Sequence, residues 1–498
     1  MILPFLIIIP LLAAFLITLI SGDKDNWAIV LSILAVISLL ALSIFSFFTT
    51  GNETFVYEMS GWKIPLTICL VQDAFSTFML VIVNLIALTS LMFSVSYIRQ
   101  YSGTWKYYAL FMLLITGMNG VIATGDIFNL FVFMEIALFS AYALVAFGGK
   151  AEEYEAAFKY AIMGSISSIL ILMGIGILYA TTSTLTMANI AAILPTKDPR
   201  IMYWVGAIFL AGFGLKSAVM PFHAWLPDAH SSAPAPISAM LSGVLIKALG
   251  IYVIIRFFFN VLGAPPIFLT LFMVLGSISI ILASYLALGQ WDFKRLLAYS
   301  SISQIGFILL GLGIGTKLAI LGAVFHIFNH AIFKSLLFYN SGSVEMALGT
   351  RDLRKMGNLK DAMPVTSATS MVASLSVAGL PPFNGFFSKL IIIIAAVQAS
   401  HVGYAIIAVI GSLLTLAYFM KVQRYGFRGE NKIEKPEIQI SLGMKSAMII
   451  LAVLCIVGSA LIIPGIREVA DVTGIASFRL PIFRRSLVPS AISTDPEL

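Results

Sequence analysis

Residues 27–49 read WAIVLSILAVISLLALSIFSFFT, a run without a single charged side chain. As a helix, such a run matches the roughly 30 Å hydrocarbon core of a bilayer, which about 20 apolar residues can span. The same signature recurs along the 498 residues, which are 60% hydrophobic and only 11% charged, with a mean hydropathy of +1.00. This composition predicts a protein that crosses a membrane many times, because a water-soluble domain needs a charged surface.

The apolar runs predict about fourteen membrane spans, all of them helices, because lipid satisfies no backbone hydrogen bonds. A β-barrel would need short segments of alternating polarity, and these runs are apolar on both parities. The first run begins at Met1 without a preceding basic segment, so we expect a retained span rather than a removed signal peptide. The predicted spans are residues 2–20, 27–49, 73–98, 107–124, 126–147, 157–181, 203–222, 235–259, 267–288, 294–313, 317–341, 364–398, 402–422 and 443–464.

Basic residues collect in the loops that follow the odd-numbered spans. These loops contain Lys24, Arg99, Lys106, Lys150, Lys294, Arg295, Arg351, Arg354, Lys355, Lys360, Lys421, Arg424, Arg428, Lys432, Lys435 and Lys445. The other loops hold few, mainly Lys63, Lys197, Arg200 and Lys317. By the positive-inside rule the odd loops are cytoplasmic, which predicts that both termini lie outside. The net charge of +7 therefore reflects topology and does not indicate nucleic-acid binding.

Two predicted spans are interrupted by prolines, the seventh at residues 221–228 and the twelfth at residues 379–385. Proline removes a backbone donor, and a broken helix at membrane depth is tolerated where it is buried or lines a wet cavity. The two breaks lie five spans apart, so a repeat relating them would be inverted, as in many transporters. The sequence thus predicts an all-α polytopic membrane protein with discontinuous helices 7 and 12.

Ionisable side chains inside the predicted spans are the candidate functional residues, because each is costly at membrane depth unless it is paired, hydrated or neutral. They are Glu135, Lys216, Lys247, His326, His330, Lys334 and Lys389. His326, His330 and Lys334 are spaced i, i+4, i+8 and share one helical face. Histidine and desolvated lysine exchange protons in a useful pH range, and the proton affinity of a carboxylate–lysine pair depends on whether the pair is closed. The set predicts a gated proton relay.

Several candidates also have a structural interpretation, although Lys216, Lys247 and Lys389 fit one less well because each sits well inside an apolar run. Lys334 can snorkel to an interface, and either central histidine can simply bond a backbone carbonyl. Glu135 with Lys216 can form a static pair that joins two helices. For five residues near span ends, a solvated or capping role is favoured over transport: Asp73, Asp126, Asp228, His223 and His230.

The two cysteines give no indication of a metal or redox centre. Cys69 and Cys455 are far apart among apolar residues, and the sequence contains no CxxC motif or Cys/His cluster. No zinc or iron–sulfur site, and no cofactor, is therefore expected in this chain. Any linked redox chemistry is expected to lie in partner subunits.

The segment GLKSAVMPFHAWLPDA at residues 214–229 closely resembles a signature of the proton-translocating antiporter-like subunits of respiratory complex I and of Mrp-type cation/proton antiporters. Further matches are APAPISA at 233–239, DFKRLLAYSSISQ at 292–304, HAIFK at 330–334 and GLPPF at 379–383. The resemblance covers spans three to thirteen. It implies fourteen helices arranged as an N-terminal part (1–106), two inverted five-helix units (107–259 and 267–422), and a last span with a tail (423–498).

The resemblance also implies a role for each candidate. Glu135 and Lys216 resemble the carboxylate–lysine pair of the first half-channel, and Lys247 resembles a bridging lysine. His326 and His330 resemble a central relay. Lys389 resembles the exit lysine of the second half-channel, where some family members carry glutamate and the Mrp subunit of similar length carries lysine. Lys334 belongs to the matched central segment.

The favoured hypothesis is a proton-conducting subunit of a multisubunit complex in a prokaryotic plasma membrane. Its coupling is either to exchange of a cation, expected to be sodium, or to a redox module of the hydrogenase or complex I type. Expected partners are other membrane subunits, lipid, protons and sodium, with soluble redox subunits in the second case. Two alternatives remain: a self-sufficient permease for a small solute, and a scaffold whose buried charges only dock neighbours.

Overall fold

A computed structural model describes residues 2–20, 25–51, 53–65, 67–429 and 440–462. Over these residues the chain is almost entirely helical. The helices are α1 (Phe5–Ile20), α2 (Asp25–Thr50), α3 (Ala74–Tyr97), α4 (Thr104–Ala123), α5 (Ile127–Val145), α6 (Ala151–Thr182), α7 (Met187–Ile193), α8 (Pro199–Lys216), α9 (Trp225–Ser232), α10 (Ala235–Met240), α11 (Tyr252–Ile255), α12 (Pro266–Gly289), α13 (Phe293–Ile314), α14 (Lys317–Leu348), α15 (Leu359–Ala362), α16 (Pro364–Ala378), α17 (Asn384–Gln398), α18 (Val402–Val422) and α19 (Leu442–Val457). Helices α10 and α11, with the π-helical turns between and after them, form one continuous helix, Ala235–Val261.

Within the described residues, 11 helices are long and apolar enough to cross a membrane, which makes the chain an α-helical membrane protein. They are α2 to α6, the Ala235–Val261 helix, α12, α13, α14, α18 and α19. These correspond to eleven of the predicted spans. The other three predicted spans contain shorter helices: α1 has 16 residues, α8 ends at Lys216, and the run 364–398 is divided into α16 and α17.

A short antiparallel hairpin departs from the all-α prediction. Strand β1 (Phe55–Glu58) pairs with β2 (Cys69–Gln72) in the loop between the second and third predicted spans. It is tied to the helices, because the Gln72 side chain donates to the Thr50 hydroxyl (2.5 Å) and the Gly125 amide donates to the Cys69 carbonyl (2.9 Å). Strands of four residues carry too little alternation to be distinguished from a loop in the sequence.

The first break lies where the prolines predict it, but the helix ends earlier than the apolar run suggests. Helix α8 ends at Lys216 and α9 begins at Trp225, so the predicted helical end at residue 222 is wrong. Backbone groups released by the break find new partners: the Trp225 indole donates to the Leu215 carbonyl (3.0 Å), and the Met220 amide donates to the Ser279 hydroxyl (3.1 Å). The break is therefore stable within the bundle, as buried irregular backbone must be.

The second break divides the predicted span 364–398 into α16 and α17, each of 15 residues. Gly379 ends α16 in the left-handed conformation (φ 84°), which a glycine adopts at little cost. Across the break, the Ser376 hydroxyl donates to the Asn384 side-chain oxygen (2.5 Å) and the Lys389 ammonium donates to the Val377 carbonyl (2.8 Å). A candidate functional lysine thus satisfies a carbonyl at the end of the preceding half-helix.

Gly385 marks the closest approach of these two half-helices. A Cβ added at Gly385 would lie 1.9 Å from the Ser376 carbonyl oxygen, a backbone atom that cannot swing away. Gly385→Ala is therefore expected to cost roughly 1–3 kcal/mol or more and to lower the thermal unfolding midpoint of the purified complex. Gly403→Ala, in α18 with no atom within 4 Å of the added carbon, is the matched control and should leave the midpoint unchanged. An unchanged midpoint in Gly385→Ala would contradict this description of the break.

The centre of the bundle is formed by the Ala235–Val261 helix, α13 and α14. Their apolar windows are 100%, 94% and 94% buried, whereas α2, α6 and α18 are only 33–39% buried. The outer helices present large apolar side chains outward, as a lipid-facing surface does. The helices that carry Lys247, His326, His330 and Lys334 are consequently the ones most removed from both water and lipid.

Candidate proton-relay site

Glu135 of α5 and Lys216 of α8 are brought together as the sequence predicts. The Lys216 Nζ lies 3.9 Å from the Glu135 Oε1, with side-chain exposures of 2% and 22%. That separation is too long for a hydrogen bond, and the Ser168 hydroxyl of α6 contacts both groups. Ser168 donates to Glu135 Oε1 (2.5 Å), and Lys216 donates to the Ser168 oxygen (2.9 Å) and to the Gly164 carbonyl (3.0 Å).

A small cavity borders Lys216 on the side that faces the centre of the bundle. Its volume is about 10 Å³, close to the minimum that holds one water molecule. The lining includes Lys216 and, from the helix that carries Lys247, the side chains of Leu245, Ile246 and Leu249. The cavity therefore lies between the first lysine of the proposed series and the helix of the second.

Lys247 is buried at the start of a π-helical turn, Lys247–Ile251. Its ammonium donates to the carbonyl of Ser242, five residues earlier, and the Ser242 hydroxyl lies 2.7 Å from the Ser301 hydroxyl of α13. Among the described residues, no carboxylate lies within salt-bridge distance of Lys247. π-helical turns inside α-helices occur often at functional sites, and the acceptor Ser242 lies in the preceding π-helical turn, Leu241–Leu245.

His326 and His330 lie on one face of α14, with ring centroids 6.3 Å apart and planes nearly parallel at 9°. His326 Nδ1 lies 2.9 Å from the Ser388 hydroxyl of α17. His326 Nε2 and both nitrogens of His330 are buried without a hydrogen-bond partner in the described part of the chain. The interpretation that these histidines simply bond a backbone carbonyl is therefore wrong, and unpartnered buried nitrogens indicate a water molecule or a functional role.

Lys334 and Lys389 are both held by backbone carbonyls and aromatic rings. The Lys334 ammonium donates to the Leu297 carbonyl (3.1 Å) and lies 5.7 Å from the centre of the Phe419 ring. Because Lys334 is fully buried, the snorkelling interpretation is wrong. The Lys389 ammonium donates to Val377, as described above, and lies 4.4 Å from the centre of a phenylalanine ring of α13.

The structure thus brings the candidates together in two groups. One group is the Glu135–Lys216 pair. The other is the His326–His330 pair, in which His326 contacts Ser388, the residue that precedes Lys389 in the sequence. Lys247 and Lys334 each donate to a backbone carbonyl, and Lys334 follows His330 by one turn on α14. Within the described residues, successive members are not joined by direct hydrogen bonds, so a continuous relay requires water or side-chain movement between them.

His230 is a candidate functional residue whose environment differs from the sequence prediction. It was expected to be solvated or to cap a helix, but it is fully buried and neither ring nitrogen has a hydrogen-bond partner in the described structure. Its ring packs edge-to-face on Phe338 of α14, with centroids 5.5 Å apart. Nothing in the sequence near this proline-flanked position distinguishes a buried histidine from an exposed one.

Asp73 has a larger role than the capping that was expected. Its carboxylate caps α3 by accepting from the Ser76 amide (2.8 Å), and it also accepts from the Arg256 guanidinium (2.5 Å). Arg256 additionally donates to the Tyr252 hydroxyl (2.9 Å). This partly buried ion pair ties the start of α3 to the end of the Ala235–Val261 helix. Asp126 is confined to the expected role, since it caps α5 through the Asn129 amide (2.8 Å).

A network of ion pairs lies at the ends of α6, α9, α13 and α14. Asp228 pairs with Lys159 (3.1 Å) and Arg295 (3.0 Å) and is partly exposed, as expected for a solvated residue. Neighbouring pairs join Asp292 to Arg351 (3.1 Å) and Lys294 to Glu345 (2.7 Å). An open cavity of about 380 Å³ borders this network. Of the basic residues that predict orientation, Lys24, Lys432 and Lys435 lie outside the described residues.

The potential metal ligands are dispersed. Among the residues that the structure describes, no group of three or more His, Cys, Asp or Glu side chains is placed to hold a metal ion. Cys69 and Cys455 are both buried and unpaired, on β2 and α19 respectively. The arrangement is suited to holding and moving protons on lysine, histidine and carboxylate groups.

Sequence comparison relates this chain to two groups of proteins. Residues 123–415 match the family described as NADH:quinone oxidoreductase/Mrp antiporter, TM. A Na(+)/H(+) antiporter subunit of Alkalihalophilus pseudofirmus is 34% identical, over 88% of this chain and 90% of that protein. An NADH-quinone oxidoreductase subunit of Desulforudis audaxviator is also 34% identical, over 96% of this chain and 98% of its own length.

Two solved structures are also similar to this chain. A chain of the Mrp complex from Dietzia sp. superposes with a TM-score of 0.88 at 25% identity, covering 97% of this chain and 98% of that chain. A chain of the membrane-bound sulfane sulfur reductase, an archaeal respiratory membrane complex, superposes with a TM-score of 0.87 at 29% identity, covering 97% and 99%. The similarity therefore extends over nearly the whole fold.

Proposed function

Because the chain belongs to the NADH:quinone oxidoreductase/Mrp antiporter family, we propose that it is the proton-translocating, antiporter-like subunit of a multisubunit membrane complex. The observation that carries the proposal is the Glu135–Lys216 pair, held at 3.9 Å beside a bundle centre that contains further buried lysines and histidines. Ionisable groups this far inside a membrane protein are costly and generally mark an ion or proton pathway.

In the proposed relay, protons pass from the Glu135–Lys216 pair to Lys247, then to His326 and His330, and leave at Lys389, with Lys334 beside the central histidines. The gate is the pair itself. At 3.9 Å, the Glu135 carboxylate favours the protonated, charged form of Lys216. Opening the pair removes this bias, so the lysine releases its proton toward the centre.

The proposed architecture has fourteen spans with discontinuous helices 7 and 12. Two inverted five-helix units, residues 107–259 and 267–422, follow an N-terminal part (1–106) and precede a last span and tail (423–498). The support is that both helix interruptions lie near a buried lysine, at the end of α8 and near the start of α17. The distribution of basic loops supports a topology with both termini outside a prokaryotic plasma membrane.

Coupling is proposed to be to cation exchange, with sodium as the expected ion, in an assembly of the Mrp type. The support is the relative named as a Na(+)/H(+) antiporter subunit and the likeness to a chain of an Mrp complex. A redox-driven pump is the second candidate, and the likeness to a chain of a respiratory sulfane sulfur reductase supports it. In that case the redox centres would belong to partner subunits.

Mass spectrometry of the complex, isolated in mild detergent from native membranes through a tag on this chain, tests the proposal. We expect several small hydrophobic partner subunits. If these are the only partners, the complex is a cation/proton antiporter, whereas iron–sulfur, nickel–iron or flavin subunits identify a redox-driven pump. Isolation of this chain alone, with solute transport in vesicles that contain nothing else, would contradict the proposal and favour the permease.

A further inference from the structure

The Ser168 hydroxyl contacts both charged groups of the gate from one side, and neither the sequence nor the proposed relay assigns it a role. It lies on α6, facing Glu135 of α5 and Lys216 of α8, and it is 8% exposed. Its hydroxyl oxygen is 2.5 Å from the Glu135 Oε1 and 2.9 Å from the Lys216 Nζ, while those two atoms are 3.9 Å apart. Ser168 is therefore the side chain that hydrogen-bonds to both members of the pair in the described structure.

A hydroxyl carries one hydrogen and two lone pairs, so it accepts from one group while it donates to another. Ser168 has two acceptors within reach, the Glu135 carboxylate and the Gly164 carbonyl (2.9 Å), and Lys216 donates to both the hydroxyl and that carbonyl. Rotation about one side-chain bond decides which acceptor receives the single hydrogen. The contact between the charged groups is thus either bridged or interrupted by a rotation of Ser168.

We infer that Ser168 is the group through which Glu135 and Lys216 exchange a proton, an inference that rests on the proposed function of the pair. In the transfer, a Lys216 N–H bond breaks as a Ser168 O–H bond forms, and the original Ser168 O–H bond breaks as a Glu135 O–H bond forms. The result is a neutral amine, a neutral carboxylic acid and an unchanged serine. The reverse transfer restores the ion pair.

Two threonines on the same helix provide a comparison, because their hydroxyl groups make the usual bond to their own helix. Thr181 and Thr182 of α6 also donate to the carbonyl four residues earlier, a bond that serine and threonine commonly make in apolar helices. Only for Ser168, among these three, does the hydroxyl also contact charged groups from two other helices. The nearby Gly164 is kept free of a side chain, since an added Cβ would lie 1.8 Å from the Tyr142 hydroxyl oxygen, and its carbonyl stays open to Lys216.

Ser168→Thr and Ser168→Val form the decisive pair, because threonine and valine have nearly the same shape and differ in the hydroxyl. The measurement is the rate of proton translocation by the intact complex in sealed vesicles. Ser168→Val should lower this rate at least about tenfold, a conservative value for removing a proton-transfer group. Ser168→Thr should keep at least about half of the wild-type rate. Thr181→Val, which removes a hydroxyl bonded within α6 alone, is the matched control and should retain the wild-type rate.

Equal rates in the threonine and valine variants, whether high or low, would overturn the inference, because the hydroxyl would then not decide the rate. If the β-branched variants do not assemble, Ser168→Ala replaces them, and a wild-type rate in Ser168→Ala overturns the inference. Lys216→Ala is measured in parallel. Loss of translocation in Lys216→Ala with equal threonine and valine rates refutes only the role of Ser168, whereas a wild-type rate in Lys216→Ala refutes the proposed function itself.

Discussion

Lys216→Ala is expected to lower proton translocation by the assembled complex by at least about a hundredfold, the scale of removing an essential proton-transfer group. The Lys216 ammonium lies 3.9 Å from Glu135, contacts the bridging serine and borders the small cavity that leads toward Lys247. Alanine removes the proton carrier from this position without adding bulk. The measurement is fluorescence quenching of a pH-sensitive dye in sealed vesicles, normalised to the amount of assembled complex.

Two controls separate transport from structure. Lys197→Ala, in an exposed loop, removes one lysine elsewhere and should retain the wild-type rate. Lys216→Ala leaves Glu135 without its ion pair, but this carboxylate is 22% exposed and can be hydrated or protonated, so we expect the complex to assemble. If the variant instead abolishes assembly, and Glu135→Gln combined with Lys216→Met restores both assembly and transport, the pair is a static contact and the scaffold interpretation is correct.

Three buried lysines of the proposed relay share a type of partner that suits proton carriers. Lys247, Lys334 and Lys389 each donate to a backbone carbonyl and have no carboxylate within salt-bridge distance in the described structure. A carboxylate partner strongly favours the charged form of a lysine. A carbonyl accepts from an ammonium and, more weakly, from a neutral amine, since both have N–H groups. A carbonyl partner therefore holds the charged form less strongly than a carboxylate would.

Hydropathy predicted the long helices well because a continuous apolar run is what a spanning helix requires. It predicted the ends of the interrupted helices poorly for the same reason. The run through residue 222 remains apolar after α8 has ended at Lys216, and the change is in the backbone, whose released groups bind Trp225 and Ser279. Proline indicates that a break occurs nearby, whereas tertiary partners determine at which residue the helix stops.

The candidate site was predictable where the signal is a charge in an apolar run. Glu135, Lys216, Lys247 and Lys389 all carry that signal. Ser168 does not, because a serine in an apolar helix usually bonds its own backbone, and only the positions of α5 and α8 distinguish it from Ser167 beside it. Arg256 was missed because it stands near the end of a predicted span, where solvation is the ordinary expectation, and its partner Asp73 comes from a distant segment.

Lys247→Met is expected to reduce proton translocation about a hundredfold or more, because it interrupts the relay at its middle while leaving the Glu135–Lys216 pair intact. Methionine has a similar length and no proton to exchange. Lys247 is 1% exposed and has no carboxylate partner among the described residues, so removing its amine leaves no buried charge unpaired. Leu249→Met, on the same helix and lining the small cavity beside Lys216, is the matched control and should retain the wild-type rate.

The most direct test of a single relay through the bundle is therefore the proton flux through the assembled Lys247→Met complex in liposomes, measured beside wild type and Lys216→Ala. The relay predicts that Lys247→Met falls to the level of Lys216→Ala, with all partner proteins present and Leu249→Met unaffected. Flux near the wild-type value in Lys247→Met, together with an inactive Lys216→Ala, would show that protons leave the Glu135–Lys216 pair without crossing the centre, and would contradict the proposed path.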